Sequence, residues 1–462
     1  IRCTVNPSVL EGDTHLGRKV NKNCNVVVIG GGTAGLEAAC SAAEVGCTTF
    51  LFEKNDHLGG LAVEISKIPD KKRLRDFPDY LVHRASKLTN LFIFKGQEAT
   101  LPLIKALHPN IIVNSTGSNP LLPPIKGLHD HIDKEGSKVA SITGMINHLA
   151  DYPEDCTGKK VVVVGGGNVA IDVARAALRS GAQKVHLCSL EQEGEMPASP
   201  EEVLEAKEEK ILLHCGWGPK EILEDSIVFK QCVSVKDETG RFNPSYDESV
   251  LETIQCSHVL LSIGQSIIPI QGLDVEVNTN GTIKADGTTL QTSVEDVFVG
   301  GDVYTGPKFA IDAISHGKEA AESMHRFVHK GHSLTIGRDL HLFNEFDKNN
   351  ALIDIDFDHA KRQIPGIKKG LGEKSFRDLR STFTEEQVKI EANRCLGCGA
   401  SIVDTNKCIG CGLCTTKCEF DAIHLTRDIK DGARMVKAED KMKAILPYAA
   451  KRQIKIIRNK KK

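Results

Sequence analysis

Residues 25–35 read NVVVIGGGTAG: four apolar residues run into three glycines and then into a small-residue helix start. A parallel strand buried on both faces requires a continuous apolar run of this kind. Gly30, Gly32 and Gly35 stand at the G-x-G-x-x-G spacing. The first allows a sharp turn, the second lets backbone approach a pyrophosphate, and the third lets the helix pack close to the strand. The free amides of the helix start, Thr33 and Ala34 onward, then face the phosphates. A second strand, TTFLFEKN, follows and ends at Glu53 and Lys54, with Glu53 standing 23 residues past Gly30. That is near the ~20 at which a carboxylate meets a ribose hydroxyl.

The same grammar returns once. KKVVVVGGGNVAIDVARAAL carries Gly165 and Gly167, then Asn168, Val169 and Ala170, the last as the third small residue. Its next strand, KVHLCSL, leads to Glu191, 26 residues past Gly165. Duplication of strand, glycines, helix and acid predicts two dinucleotide sites in one chain. Glu191 bears on which coenzyme is bound. A carboxylate there accepts from a ribose 2′-hydroxyl and repels a 2′-phosphate. SLEQEGEM, residues 189–196, holds no Arg or Lys, so NAD(H) is expected in preference to NADP(H).

Outward from these centres, smaller signals fall into place. HLGGLA, with Gly60 and Leu61, lets backbone pass close to a planar ligand. LFIFKGQEAT is a strand and turn containing Ala99, and NIIVNSTG is a buried strand ending at Thr116 and Gly117. HVLLSIGQ matches it in form and ends at Gly264. DVFVGGDVYTGPKFAIDAISHG brings a strand to Gly301 and Asp302 and then a helix from Phe309, Ala310 and Ile311. Such an Asp can bond a ribityl hydroxyl, and such a helix start favours the negative charge of a reduced flavin ring.

Near the other end, Cys408, Cys411, Cys414 and Cys418 form C-x2-C-x2-C-x3-C, the bacterial ferredoxin ligand run, with Glu419 in the usual proline position. One [4Fe-4S] cluster is expected. Cys395 and Cys398 leave a second cluster open, because two complete ligand sets cannot be counted here. The other cysteines are scattered singly, not as a disulfide framework.

The chain has 462 residues, 59 Lys+Arg, 61 Asp+Glu and a formal net charge of −2. This gives no basis for bulk nucleic-acid binding. No apolar run reaches the ~18 residues of a membrane span. With no recognisable secretory leader, a reducing, cytoplasmic setting is expected. The first residue is Ile1, so the chain reads as a processed or partial product.

GGGTAG, FEK, GGL, STG, GGGNVAIDVA and VFVGGDVYTGP resemble the two-dinucleotide-domain flavoproteins. They are similar to the FAD/NAD(P) half of dienoyl-CoA reductase and enoate-reductase-like enzymes, shared with the glutamate synthase small subunit. The opening RCTVNP resembles the linker that follows a flavin-bearing barrel in those enzymes. The resemblance covers about residues 1–330 and implies FAD in a split domain. The expected fold is α/β, with two Rossmann-like dinucleotide-binding domains of the two-domain flavoprotein type and a small C-terminal ferredoxin-like iron-sulfur segment. The expected divisions are a lead-in at 1–24, FAD parts at 25–126 and 269–330, and an inserted NAD(P) domain at 127–268. A connection at 331–390, a ferredoxin-like segment at 391–430 and a basic C-terminal tail at 431–462, its final stretch RQIKIIRNKKK frayed and solvated, complete the chain.

Disulfide reductases of this type carry a C-x2-C in the nicotinamide domain or a cysteine pair after the second FAD strand, and neither place has one here. The expected activity is therefore hydride exchange between NAD(H) and FAD, then one-electron transfer through the cluster to or from a partner protein. A catalytic side chain is not required, since hydride transfer to flavin needs stacking and orientation. The expected partners are electron-accepting or donating subunits, such as a ferredoxin or a flavin-barrel reductase, in a hetero-oligomer. Two alternatives are the flavin half of an ene-reductase complex and a non-catalytic electron relay.

Overall fold

The computed structural model describes residues 19–20, 23–69, 71–134, 137–141, 144, 156–267, 270, 272–329, 331–336, 338, 360–368, 375–377, 380–394, 403, 408–417, 423–426 and 437–460. It divides into two compact units, 1–391 and 392–462.

Along the first unit the chain forms β1 (Asn25–Ile29), α1 (Thr33–Glu44), β2 (Thr48–Glu53), α2 (Leu61–Ile65), α3 (Asp76–Ser86), β3 (Leu91–Lys95), α4 (Leu101–Ala106) and β4 (Ile111–Asn114). Next come β5 (Asn119–Pro120), α5 (Leu128–His131), β6 (Val139–Ser141), β7 (Lys160–Val164), α6 (Asn168–Arg179), β8 (Lys184–Ser189), α7 (Pro200–Glu208) and β9 (Leu212–Cys215). Then follow β10 (Trp217–Ile222), β11 (Ser226–Lys236), β12 (Phe242–Gln255), β13 (His258–Leu261), β14 (Gln265–Ser266), β15 (Val297–Val299), α8 (Asp302–Thr305) and α9 (Ala310–Val328).

The first sheet runs β15-β4-β1-β2-β3, all parallel. The second runs β6-β13-β7-β8-β9, also all parallel. Their central strands β1 and β7 are the two apolar runs that precede the glycines, and Val26, Val27, Val28, Val161, Val162 and Val163 are fully buried. In each sheet the order reverses beside that strand, the kind of switch point at whose carboxyl ends α/β sheets bind ligands. An antiparallel sheet, β10-β11-β12, flanks the second sheet, and the short pair β5–β14 joins residue 119 to residue 266.

Packing explains the helix positions. α9 lies tight on α1, because a Cβ on Gly317 would stand 2.6 Å from the Ala34 carbonyl oxygen. Arg84 of α3 reaches Glu37 at 2.9 Å and Glu44 at 2.6 Å on α1. The region after α2 touches the second sheet's layer: Ile68 is buried against α6, and Lys71 pairs with Asp172 at 3.0 Å.

One expectation needs correction. Residues 441–460 form a helix with Pro447 inside it, not a frayed tail, since apolar residues recur along one face amid the lysines. Within the 331–390 connection, Arg380 pairs with Glu205 at 2.5 Å and a helix, α10 (Glu385–Asn393), begins. Cys24 and Cys47, just before β1 and β2, are buried and set side by side by the parallel register. That contact lowers the Cys24 thiol and raises that of Cys47.

The second unit contains α11 (Leu413–Lys417) and α12 (Lys441–Lys460). No helix among the described residues is long and apolar enough to cross a membrane.

Candidate functional site

Two cradles of one steric form sit at the ends of β1 and β7. Gly30 has φ +102°, and a Cβ there would lie 2.3 Å from the Ser115 carbonyl oxygen. Gly165 has φ +147°, and its Cβ would lie 2.2 Å from the Ser262 carbonyl oxygen. No L side chain fits either turn. Gly32 and Gly167 instead face open space, each as the cap residue of its helix, α1 and α6. At the third position, a Cβ on Gly35 would stand 1.9 Å from the Gly30 carbonyl oxygen. Ala170, which is fully buried, tolerates its methyl group at the equivalent place. Thr33 and Ala34 form the first turn of α1, and Asn168 and Val169 that of α6. Asn168 Oδ1 accepts the Ser199 amide at 2.7 Å, pinning the loop after β8 over the second cradle.

The neighbouring strand ends close each cradle. Ser115 Oγ donates to the Ile29 carbonyl at 2.9 Å, and Thr116 Oγ1 donates to Asn114 Oδ1 at 3.1 Å. Gly117 and Gly264 follow their strands and face open space. Gly59 donates its amide to the Gly31 carbonyl at 2.8 Å, so Gly60 lies on the first cradle and Leu61 begins α2 beside it. Ala99 is buried in the turn that returns to β2, where the Gln97 amide bonds the Glu53 carbonyl at 2.9 Å.

The acids divide by their surroundings. Glu53 is buried; its Oε2 accepts the Gly31 amide at 2.7 Å and its Oε1 the Asn55 amide at 2.8 Å. Lys54 beside it is exposed. Glu191 Oε2 sits 2.6 Å from where a Gly166 Cβ would be, the same place relative to the second cradle. The middle glycines Gly31 and Gly166, which sequence reasoning passed over, are thus the residues that admit these carboxylates. The triple glycine in both motifs was the available signal.

Residues 189–196 hold no cation, but Lys207 of α7 comes to this loop and pairs with Glu193. The sequence window alone missed it, because α7 returns along the sheet edge.

Asp302 opens α8 at the end of β15. Its Oδ2 accepts the Ser118 hydroxyl at 2.9 Å, and Gln265 of β14 contacts the same hydroxyl. Burial raises the Asp302 carboxyl above its ordinary value, against the pull of the Ser118 hydroxyl. Gly301 donates its amide to His316 Nδ1 at 3.3 Å, which ties this turn to α9. Ala310 and Ile311 form the half-buried first turn of α9, while Phe309 caps it with its ring 72% exposed.

In the second unit Cys408, Cys411 and Cys414 are free, with Cys408 and Cys414 exposed. Gly410 and Gly412 between them have φ +64° and +77°, bends that let one loop present successive thiols to a cluster. Among the described residues no three metal-ligating side chains are gathered into one set. Cys395, Cys398 and Cys418 lie outside the described residues. Three thiols at this spacing are the donor chemistry that a [4Fe-4S] cluster takes.

Three stretches of the chain match known protein families. Residues 102–317 match the family model described as pyridine nucleotide-disulphide oxidoreductase, and residues 25–84 match FAD dependent oxidoreductase. Residues 401–424 match the 4Fe-4S binding domain. Separate stretches of the chain thus match pyridine-nucleotide, FAD and 4Fe-4S domain models.

Two curated relatives resemble most of its length. The beta subunit of an NADP(+)-dependent formate dehydrogenase from Moorella thermoacetica is 31% identical over 82% of this chain and 55% of that protein. The glutamate synthase [NADPH] small chain from Azospirillum brasilense is 27% identical over 66% of each. The chain therefore spans about half to two thirds of these relatives' length. Thioredoxin reductase from Lactococcus lactis shares the fold, with TM-score 0.51, 20% identity, 66% of this chain and 99% of that one covered.

Proposed function

We propose that this chain is the NADH-dependent FAD and iron-sulfur subunit of an electron-transfer complex. In this reading it exchanges hydride between NAD(H) and FAD, and single electrons pass through a [4Fe-4S] cluster to or from a partner protein. The observation that carries the reading is the pair of cradles, each with one glycine forced against a strand end and one facing open space at a helix N-terminus. Two such cradles in one chain suit two dinucleotides.

Flavin supplies the conversion between two-electron hydride chemistry and one-electron transfer. The chain's own residues orient and hold. The α1 amides, with Gly30, Gly32 and Gly35, receive the FAD pyrophosphate, and Glu53 faces its ribose. Asp302 bonds the ribityl chain, and the α9 amides at Ala310 and Ile311 face the pyrimidine edge. Around the nicotinamide dinucleotide, Gly165, Gly167 and Asn168 receive the phosphates, and Gly264 leaves room beside β13. Cys408, Cys411, Cys414 and Cys418 hold the cluster.

NADH is proposed over NADPH because the Glu191 carboxylate lies against the Gly166 turn, where it would accept from a ribose hydroxyl, and Glu193 pairs with Lys207. The two curated relatives carry NADP(+) and NADPH in their names; for this chain the choice rests on Glu191. Their names also include "subunit" and "small chain", which supports a hetero-oligomer here.

The test is an anaerobic titration of purified protein with NADH and, separately, NADPH, following the oxidised flavin band, with iron and acid-labile sulfide measured on the same sample. Bleaching by NADH at lower concentration than NADPH, with iron and sulfide present, supports the reading. Flavin that NADH fails to bleach, or flavin without iron and sulfide, overturns it.

A further inference from the structure

We propose that α12 is the docking element for an acidic, ferredoxin-class one-electron carrier protein, an inference that rests on the electron-transfer reading above. Residues 441–462 contain nine Lys and Arg and no Asp or Glu. The chain as a whole is −2, so the preceding 440 residues carry −11 (−2 less +9). Seven of these cations fall within the helix Lys441–Lys460, so positive charge is gathered at this end of an otherwise acidic chain.

The helix is also two-faced. Met442, Ile445, Leu446, Ile456 and Ile457 recur at offsets of 3, 4, 14 and 15 from the first, which is one face at 3.6 residues per turn. All five side chains are exposed, from 40% for Ile456 to 66% for Met442. Lys451, Lys455 and Arg458 fall on the opposite face, and Lys443 and Arg452 flank the stripe.

A lone helix of this length with a proline inside it is marginal in water, because helices draw most of their stability from burying an apolar face. An apolar stripe edged by cations supplies both terms of a redox contact: burial at the centre, and long-range attraction that speeds encounter with an acidic surface. The helix belongs to the same compact unit as Cys408, Cys411 and Cys414, where a carrier must come close for single electrons to cross. An anionic membrane is the lesser fit. Gln453 interrupts the apolar stripe, and Tyr448, the helix's one aromatic residue, lies off it, whereas interfacial helices place Trp, Phe and Leu on their buried face.

The test uses the full-length flavin- and cluster-loaded protein with a reduced acidic [4Fe-4S] ferredoxin as donor and NAD+ as acceptor. Two reduced ferredoxins each lose one electron, and NAD+ gains both with one proton to give NADH. The variant Lys443→Glu, Arg452→Glu, which reverses the cations flanking the stripe, is expected to lower kcat/KM for ferredoxin about tenfold or more and to flatten its fall between about 50 and about 300 mM salt. Flavin bleaching by NADH stays unchanged. The variant Leu446→Ser, Ile457→Ser is expected to raise KM for ferredoxin while keeping the salt dependence.

Unchanged kcat/KM and salt slope in the charge variant overturn the proposal. So does binding of the wild type to phosphatidylserine–phosphatidylcholine vesicles that the charge variant loses without any change in ferredoxin kinetics. Wild-type flavin that NADH fails to bleach overturns the electron-transfer reading instead, so the two failures are told apart.

Discussion

Ser118 and Asp302, 184 positions apart in sequence, share a hydrogen bond of 2.9 Å. Parallel pairing of β4 with β15 brings them together at the ends of those strands. Burial raises the Asp302 carboxyl, so the folded chain holds that proton more tightly than the unfolded chain. Ionised Asp302 therefore costs stability above its folded pKa, and the cost fades as pH falls through it. In flavin-stripped protein Asp302→Asn should raise Tm at neutral pH, with the gain shrinking toward acid. The same change should speed flavin loss on dilution, since a carboxylate acceptor for the ribityl chain is gone. A lower Tm at neutral pH, or unchanged flavin retention, would contradict the assignment.

The first cradle separates folding from binding. A methyl on Gly35 meets the Gly30 carbonyl at 1.9 Å, whereas one on Gly32 meets nothing. Gly35→Ala should cost about 1–3 kcal/mol of stability by overpacking. Gly32→Ala should stay within about 0.5 kcal/mol yet purify with much less flavin. Chemical denaturation and flavin-to-protein ratios on the two variants check both statements.

Coenzyme choice should answer to two acids in opposite ways of acting. Glu191→Ala removes the group that repels a 2′-phosphate, and Glu193→Ala releases Lys207 from its ion pair to attract one. Each should shift the ratio of kcat/KM for NADH over NADPH toward NADPH, by about tenfold for about 1.4 kcal/mol of lost discrimination. The double variant should exceed either. Steady-state kinetics with an artificial two-electron acceptor measure this without the partner protein.

Cluster loss should uncouple the two halves of the path. Cys411→Ser removes a thiolate from the C-x2-C-x2-C-x3-C run and should lower iron and sulfide content while leaving flavin bleaching by NADH intact. Reduction of one-electron protein carriers should fall to background. Equal iron content in variant and wild type would show that this cysteine is not a ligand.

Much of this architecture was legible because its signals are local. Val26 to Ile29 and Val161 to Val164 are apolar without a break, so each had to be a strand buried on both faces. The glycines after them are dictated by contacts within a few ångströms of the same turn. The helix at 441–460 was harder to read. Its lysines suggested a solvated tail, and only the continuous backbone aligns Met442, Leu446 and Ile457 on one face.

The sequence by itself determined two strand–glycine–helix units, an acid after each, and a thiol run, because each is a short-range pattern with its own steric cause. Tertiary structure alone decided which distant groups meet. Ser118 finds Asp302 and Cys24 finds Cys47 because parallel strands fix register across long intervals, and Lys207 reaches Glu193 because α7 folds back along the sheet. Such meetings depend on the crossing of elements, and no pattern of neighbouring residues encodes that.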